Sequence, residues 1–159
     1  MVKILDISDP PNLNKVQELN AHLDNDMVFY VVYRPGCPAC DGFMPNWNIF
    51  TEKMKNVSMS GVVLAKINEN SLDNVNIKGK EYIQGVPHIM LQNKEATIEY
   101  DGNREPDNLS AFLKQHSTSG QTGGSKRKIK KRMKHSTKKK MRKHKKSMKR
   151  KKRKTHSRK

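Results

Sequence analysis

The chain is poor in cysteine, in aromatics and in long hydrophobic runs: it has 2 Cys, 1 Trp, 4 Tyr and 4 Phe in 159 residues. Each scarcity excludes something. Two cysteines three positions apart do not make a disulfide-stapled scaffold, which needs several spread along the chain. No stretch approaches about 18 consecutive apolar residues, so no membrane-spanning helix is expected. The opening Met1-Val2-Lys3-Ile4-Leu5-Asp6 meets charge before an apolar signal core forms, so no signal peptide is expected, and no retention tetrapeptide is seen. A cytoplasmic or nuclear protein is the default. There a C-x-x-C pair is more readily catalytic or metal-binding than structural.

Acidic residues are missing from one end. Of the 33 Lys and Arg, 22 fall in residues 126–159, which contain no Asp or Glu. Residues 1–125 therefore hold 11 basic against 15 acidic side chains, near −4, and the overall charge of +18 belongs to the tail. Length suggests one domain, large enough for a core of its own.

The periodicity predicts an α/β body. Val2 to Ile7 reads as a strand closed by Ser8-Asp9-Pro10-Pro11, and Asn12 to Leu23 as a helix with Leu13, Val16, Leu19 and Leu23 on its apolar stripe. Met27 to Tyr33 is a continuous apolar run, expected at the centre of a sheet with both faces covered. A helix is predicted over Pro38 to about Val57, burying Phe43, Trp47, Phe50 and Met54 and kinked at Pro45. Gly61 to Ile67 reads as a second buried strand. Asn68 to Gln84 is ambiguous, with a helical turn or two around Leu72, Val75 and Ile77. Val86 to Leu91 and Ala96 to Tyr100 pair through Asn93-Lys94, and Arg104 to His116 forms a last helix on Leu109, Phe112 and Leu113. The domain expected over 1–117 is followed by a Gly/Ser/Thr linker, 118–125, and a disordered basic tail, 126–159.

Cys37-Pro38-Ala39-Cys40 lies where the central strand gives way to a helix. A cysteine at a helix start meets unpaired backbone N–H groups and the positive end of the dipole, both of which favour thiolate. Pro38 suits the first helical position. Cys37 is then the attacking thiol and Cys40, one turn on, the resolving one. The competing reading is half a zinc site. A closed site needs four ligands, no other cysteine exists, and His22, His88 and His116 could complete it only by converging from three separate elements.

Several blocks together resemble the thioredoxin family, and within it the catalytic domains of protein disulfide isomerases. They are Tyr33-Arg34-Pro35-Gly36-Cys37-Pro38-Ala39-Cys40, Pro45-Asn46-Trp47, Ala65-Lys66-Ile67-Asn68, Gly85-Val86-Pro87, and Tyr100-Asp101-Gly102-Asn103-Arg104 with Leu109 and Phe112. The resemblance implies a thioredoxin fold, a mixed sheet flanked by helices, and disulfide oxidoreductase or isomerase activity on protein thiols by a monomer. It implies no cofactor beyond a redox-active Cys37–Cys40 disulfide. It also implies a cis Pro87 facing the cysteines, with Val86, Gly36, Pro38 and Ala39 contacting substrate. Lys66 corresponds to the strand lysine near the buried end of the site, and Arg104 to an arginine that swings toward the resolving cysteine.

Three departures stand out. Gly36 replaces the family's tryptophan. Val31 replaces its buried carboxylate, six residues before the first cysteine. Pro38-Ala39 is nearer glutaredoxin usage, although glutaredoxins usually lack the elements of residues 2–23 and no glutathione signature follows Pro87. A glutaredoxin-like reductase is the lesser alternative.

The tail clusters its charge in Lys126-Arg127-Lys128, Lys130-Lys131-Arg132, Lys138-Lys139-Lys140, Arg142-Lys143 and Lys149-Arg150-Lys151-Lys152-Arg153-Lys154. Such a run is an interaction segment for nucleic acid or another polyanion, and its clusters suit nuclear import. Without aromatics, phosphate contact rather than base reading is expected. The Gly-Gly-Ser-Lys hinge with such a tail resembles proteins of large DNA viruses, for which a host nucleus, cytoplasm or virion is the expected location. The rival reading is a non-enzymatic nucleic-acid-binding or packaging protein on a thioredoxin scaffold.

Overall fold

The computed structural model describes residues 1–118. Five strands and three helices follow in the order β1 (Lys3–Ile7), α1 (Leu13–Asn25), β2 (Met27–Tyr33), α2 (Pro38–Lys55), β3 (Val62–Asn68), β4 (His88–Gln92), β5 (Thr97–Glu99) and α3 (Pro106–Thr118). Two 3-10 turns, Glu69–Asn74 and Lys80–Tyr82, separate β3 from β4. The sheet order is β1-β3-β2-β4-β5, with β1, β3 and β2 parallel and β4 and β5 antiparallel. The apolar run Met27–Tyr33 is thus the central strand, as its composition predicts.

Because side chains alternate across a strand, β2 feeds two cores. Val28, Tyr30 and Val32 pack with α1 through Val16, Leu19 and Leu23. Phe29 and Val31 pack with α2 and α3 through Phe43, Trp47, Phe50, Met54, Leu109 and Leu113. Phe29 centres an aromatic cluster, 5.7 Å from Trp47, Phe50 and Phe112. Four aromatic contacts converge on that one ring, each adding about 0.5–1.5 kcal/mol to the area it buries. This packing fixes α2, and with it the cysteine pair, against the sheet.

Local chemistry sets the helix ends. Asn12 caps α1, its side-chain oxygen accepting from the Asn14 and Lys15 N–H groups. Pro38 opens α2, and Pro45 lies inside it without ending it.

Several boundaries differ from expectation. Leu13 shares the stripe but is 66% exposed, because it sits in the first turn. α3 starts at Pro106, so Arg104 lies in the preceding loop, and β4 starts at His88, leaving Val86 and Pro87 outside the ladder. Between the 3-10 turns, Val75 and Ile77 are buried from irregular backbone. Thr118, expected to open the linker, ends α3; the rest of the linker and the basic tail, 119–159, lie outside the described residues. Asp9–Pro10 and Val86–Pro87 are both cis. Among the described residues no helix is long and apolar enough to cross a membrane.

Candidate active site

The parallel strands end together, and the chain leaves β2 through Arg34-Pro35-Gly36 into α2. A turn closes there, with the Cys37 N–H donating to Arg34 O at 3.4 Å, and the first helical bond runs from Asp41 N to Cys37 O at 2.9 Å. Gly36 has φ +73°, the left-handed region, with nothing within 4 Å of a would-be Cβ. Glycine is therefore favoured there by backbone conformation and not by crowding.

Cys37 is the N-cap residue of α2, half-buried, and Cys40 is fully buried one turn in; both are free thiols. The Cys37 side chain makes no cap hydrogen bond; its Sγ–H lies 3.8 Å from Val86 O, which accepts from it. Its pKa is lowered, first by the Cys40 thiol and then by the backbone N–H groups of Cys40 and Ala39, with Arg34 adding attraction against a burial cost. The Cys40 pKa is raised, chiefly by burial and further by Cys37 and Asp41, while the Arg34 backbone opposes the rise. The first thiol is poised to ionise and the second held protonated.

The loop after the second 3-10 turn faces the pair. Val86 and Pro87 line a cleft of about 550 Å³ with Ala39, Tyr82, His88, Glu99 and Arg104. Arg104 reaches the cleft from the far side, its Nη2 donating to Pro87 O at 3.1 Å while its guanidinium lies 5.7 Å from the Phe43 ring centre. The resemblance implies an arginine that swings toward Cys40; here Arg104 rests on the cis-proline loop. Lys66 does not line the cleft. Its ammonium is 2.8 Å from Asp6 on β1 and 5.3 Å from the Tyr33 ring centre. Asp6, Lys66 and Val31 stand in register on three neighbouring strands, so a carboxylate does lie in this row, displaced from β2 to β1 and partly exposed. The tail residues lie outside the described region.

Sequence reasoning missed two pairs. Arg34 forks onto Glu69, with Nε 2.6 Å from Oε2 and Nη2 3.0 Å from Oε1, and this holds the Glu69 carboxyl below its usual range. Register explains the fork: Tyr33 is paired with Asn68, so the next residues leave the sheet side by side. His88 Nδ1 lies 3.6 Å from Glu99 Oε1, on the partner strand. Among the described residues no group of three or more His, Cys, Asp or Glu could hold a metal ion.

The thioredoxin family profile matches residues 13–115. The chain belongs to the thioredoxin family. It is 30% identical over 90 residues to protein disulfide-isomerase 1 of Dictyostelium discoideum, covering 56% of this chain and 24% of that protein. It is 27% identical over 107 residues to the thioredoxin domain-containing protein 5 homolog of Drosophila melanogaster, covering 66% and 25% respectively. The chain thus spans about a quarter of the length of these curated relatives. The first thioredoxin domain of mouse protein disulfide-isomerase A4 superposes with a TM-score of 0.56 at 22% identity, covering 76% of this chain and 80% of that one. That likeness shows the fold.

Proposed function

We propose that this protein is a thiol–disulfide oxidoreductase acting on protein substrates. The observation that carries the reading is a half-buried Cys37 at a helix start, its pKa lowered, beside a buried Cys40 whose pKa is raised. The Cys37 thiolate attacks one sulfur of a substrate disulfide, forming a mixed disulfide and expelling a substrate thiolate. Cys40 then loses its proton and attacks the Cys37 sulfur. The Cys37–Cys40 disulfide forms, the second substrate thiol leaves, and two electrons have passed to the substrate. The reverse sequence oxidises a dithiol, and release after the first step allows isomerisation. The reading assigns Arg104, on the cleft wall, and Lys66, in register with Val31 behind it, as positioning groups, and Gly36, Pro38, Ala39, Val86 and Pro87 as the substrate-facing surface. Insulin reduction driven by dithiothreitol tests the reading: Cys37→Ser abolishes turnover, and a wild-type rate no faster than dithiothreitol alone refutes it.

The same proposal assigns the basic tail to tethering on nucleic acid or another polyanion, and to nuclear import. Its support is 22 Lys and Arg in residues 126–159 without a single acid. If about a third of them touch phosphate, counterion release gives a log–log salt slope near −6 to −7 on duplex DNA. A salt titration against random duplex and single strand, with the full chain and one ending at Ser125, reads this directly. Binding that ignores salt, or survives the truncation, removes the tail from the account.

A further inference from the structure

The cleft at Pro87 does not end there. A second cleft, about 340 Å³, continues it and shares Tyr82 and Glu99 with the first; Lys78, Glu81, Met90 and Thr97 complete its walls. A segment held beside Ala39 and Pro87 that runs on along this face must pass Tyr82 and Glu99.

Tyr82 is 67% exposed, unusual for a large aromatic away from any core, yet it is held in place. Its N–H donates to Gly79 O at 3.0 Å, and its ring covers Gly79 so closely that a Cβ there would lie 3.0 Å from Cδ2. Gly79 also has φ +78°, so both its conformation and the ring above it select glycine. The backbone thus presents the Tyr82 ring to solvent at the junction of the clefts.

Charge is distributed unevenly along the path. Each cleft has one Lys or Arg in its wall, and each is hydrogen-bonded within the fold: Arg104 in the first to Pro87 O, and Lys78 Nζ in the second to Lys94 O at 3.2 Å. Of the carboxylates, Glu99 lines both clefts and Glu81 the second. Glu81 is exposed and has no ion-pair partner among the described residues, and Glu99 is exposed with only His88 at 3.6 Å. An outward aromatic face beside two carboxylates is the chemistry that receives a cationic side chain, by cation–π attraction and by charge.

We propose that this double cleft selects protein segments carrying a lysine or arginine a few residues from the reacting cysteine, read by Tyr82, Glu81 and Glu99. The inference rests on the oxidoreductase reading for its cysteine and on the cleft for its basic residue, and the two can be separated. The test uses the full chain and Ser/Gly peptides with one cysteine, as mixed disulfides, in which a single Lys is scanned from four residues before to four after it. A matched series carries Glu. The rate constant for attack by the enzyme is measured for each.

One or two Lys positions should exceed their Glu counterparts about five- to tenfold at low salt, and 0.5 M salt should erase most of that ratio. Glu81→Gln with Glu99→Gln should bring the Lys/Glu ratio toward one, and Tyr82→Ala should reduce it. Because the ratio is taken on one enzyme, changes in basal rate cancel; the tail's positive charge disfavours Lys at every position alike, so it shifts the whole scan and cannot single out one or two positions. Equal rates for Lys, Ser and Glu at every position, in a chain that reduces a small disulfide normally, overturn the proposal. If the chain reduces nothing, the oxidoreductase reading fails instead. Anisotropy with serine replacing the peptide cysteine then decides: Lys-dependent binding lost in the Glu81→Gln/Glu99→Gln variant upholds the cleft, and its absence sinks it.

Discussion

Val31→Glu puts on the central strand the carboxylate that the family resemblance leads one to expect there. Val31 is completely buried among Phe29, Phe43, Trp47 and Ile89, and its register neighbour on β3 is Lys66. That lysine is already engaged, 2.8 Å from Asp6 on its other side. A carboxyl in so apolar a place resists ionisation, and a rise of about three pKa units is typical of full burial. At about 1.4 kcal/mol per unit, this amounts to roughly 4 kcal/mol. The sign follows from proton counting. With the folded pKa above the unfolded one, the native state binds the extra proton between them, so stability is lost as pH climbs from near 4 toward the raised value. The control is Val31→Gln, which carries the polar bulk without the charge. In urea the Glu and Gln variants should unfold together near pH 4 and separate by about 2 M in midpoint near pH 8, taking a slope of about 2 kcal/mol per M. In an Asp6→Asn background Lys66 is free to turn inward, and the separation should shrink by at least about 1 kcal/mol. Stopped-flow release of a mixed disulfide from Cys37 should speed up in Val31→Glu, because the resolving thiol gains a nearby base. A Glu–Gln separation that does not change with pH would refute the reasoning, since the site would then be hydrated or already neutralised.

Iodoacetamide should label Cys37 before Cys40 at every pH, with the Cys37 rate levelling off below the free-thiol range near about 8.5; peptide mapping that finds Cys40 first reverses the roles. Tyr30→Phe should hold or raise stability, by up to about 1 kcal/mol, because the buried Tyr30 hydroxyl has no hydrogen-bond partner among the described residues; a loss beyond about 1 kcal/mol in thermal unfolding would reveal a partner. Asn12→Ala should cost about 1 kcal/mol through the lost cap of α1, with Asn12→Gly closer to wild type; equal losses for the two would locate the effect elsewhere.

The fold was legible where burial alone decides it. Met27–Tyr33 must be a strand covered on both faces, and Phe43, Trp47, Phe50 and Met54 repeat at helical spacing, so the sheet's centre and α2 followed from pattern. Periodicity names the face of a helix but not where its cover ends, hence the exposed Leu13. Residues 68–84 carried no readable period because their buried side chains come from short turns and the irregular chain between them. The cysteine pair and Pro87 were legible as motifs. Arg34–Glu69 and His88–Glu99 were not, because each joins two elements whose register no local pattern states. The resting place of Arg104 was not legible either, since its hydrogen bond to Pro87 O joins two loops that no local pattern brings together.

Two of the departures from the family pattern, Gly36 and Val31, act on different steps. Gly36 shapes the approach to Cys37 and leaves its ionisation to the helix start and the Cys40 thiol, the foremost groups that lower its pKa. Val31 leaves Cys40 without a carboxylate on the central strand, and burial is the first reason its proton is held. Attack should therefore be quick and resolution slow. The pair nevertheless contains its own sequencing. Part of what holds the Cys40 proton is Cys37 itself, through their hydrogen bond and the charge of its thiolate. Once Cys37 is bonded to a substrate sulfur, it carries no charge and needs no donor, so both contributions vanish and only burial and Asp41 still oppose ionisation. On the proposed reading, formation of the mixed disulfide should lower the barrier to its own resolution. Arg34 lies beside both thiols, its backbone favouring the Cys40 thiolate, so the groups that assist the first step remain in place for the second. On the same reading, a chain without the buried acid should keep the order of events and give up speed in the later one.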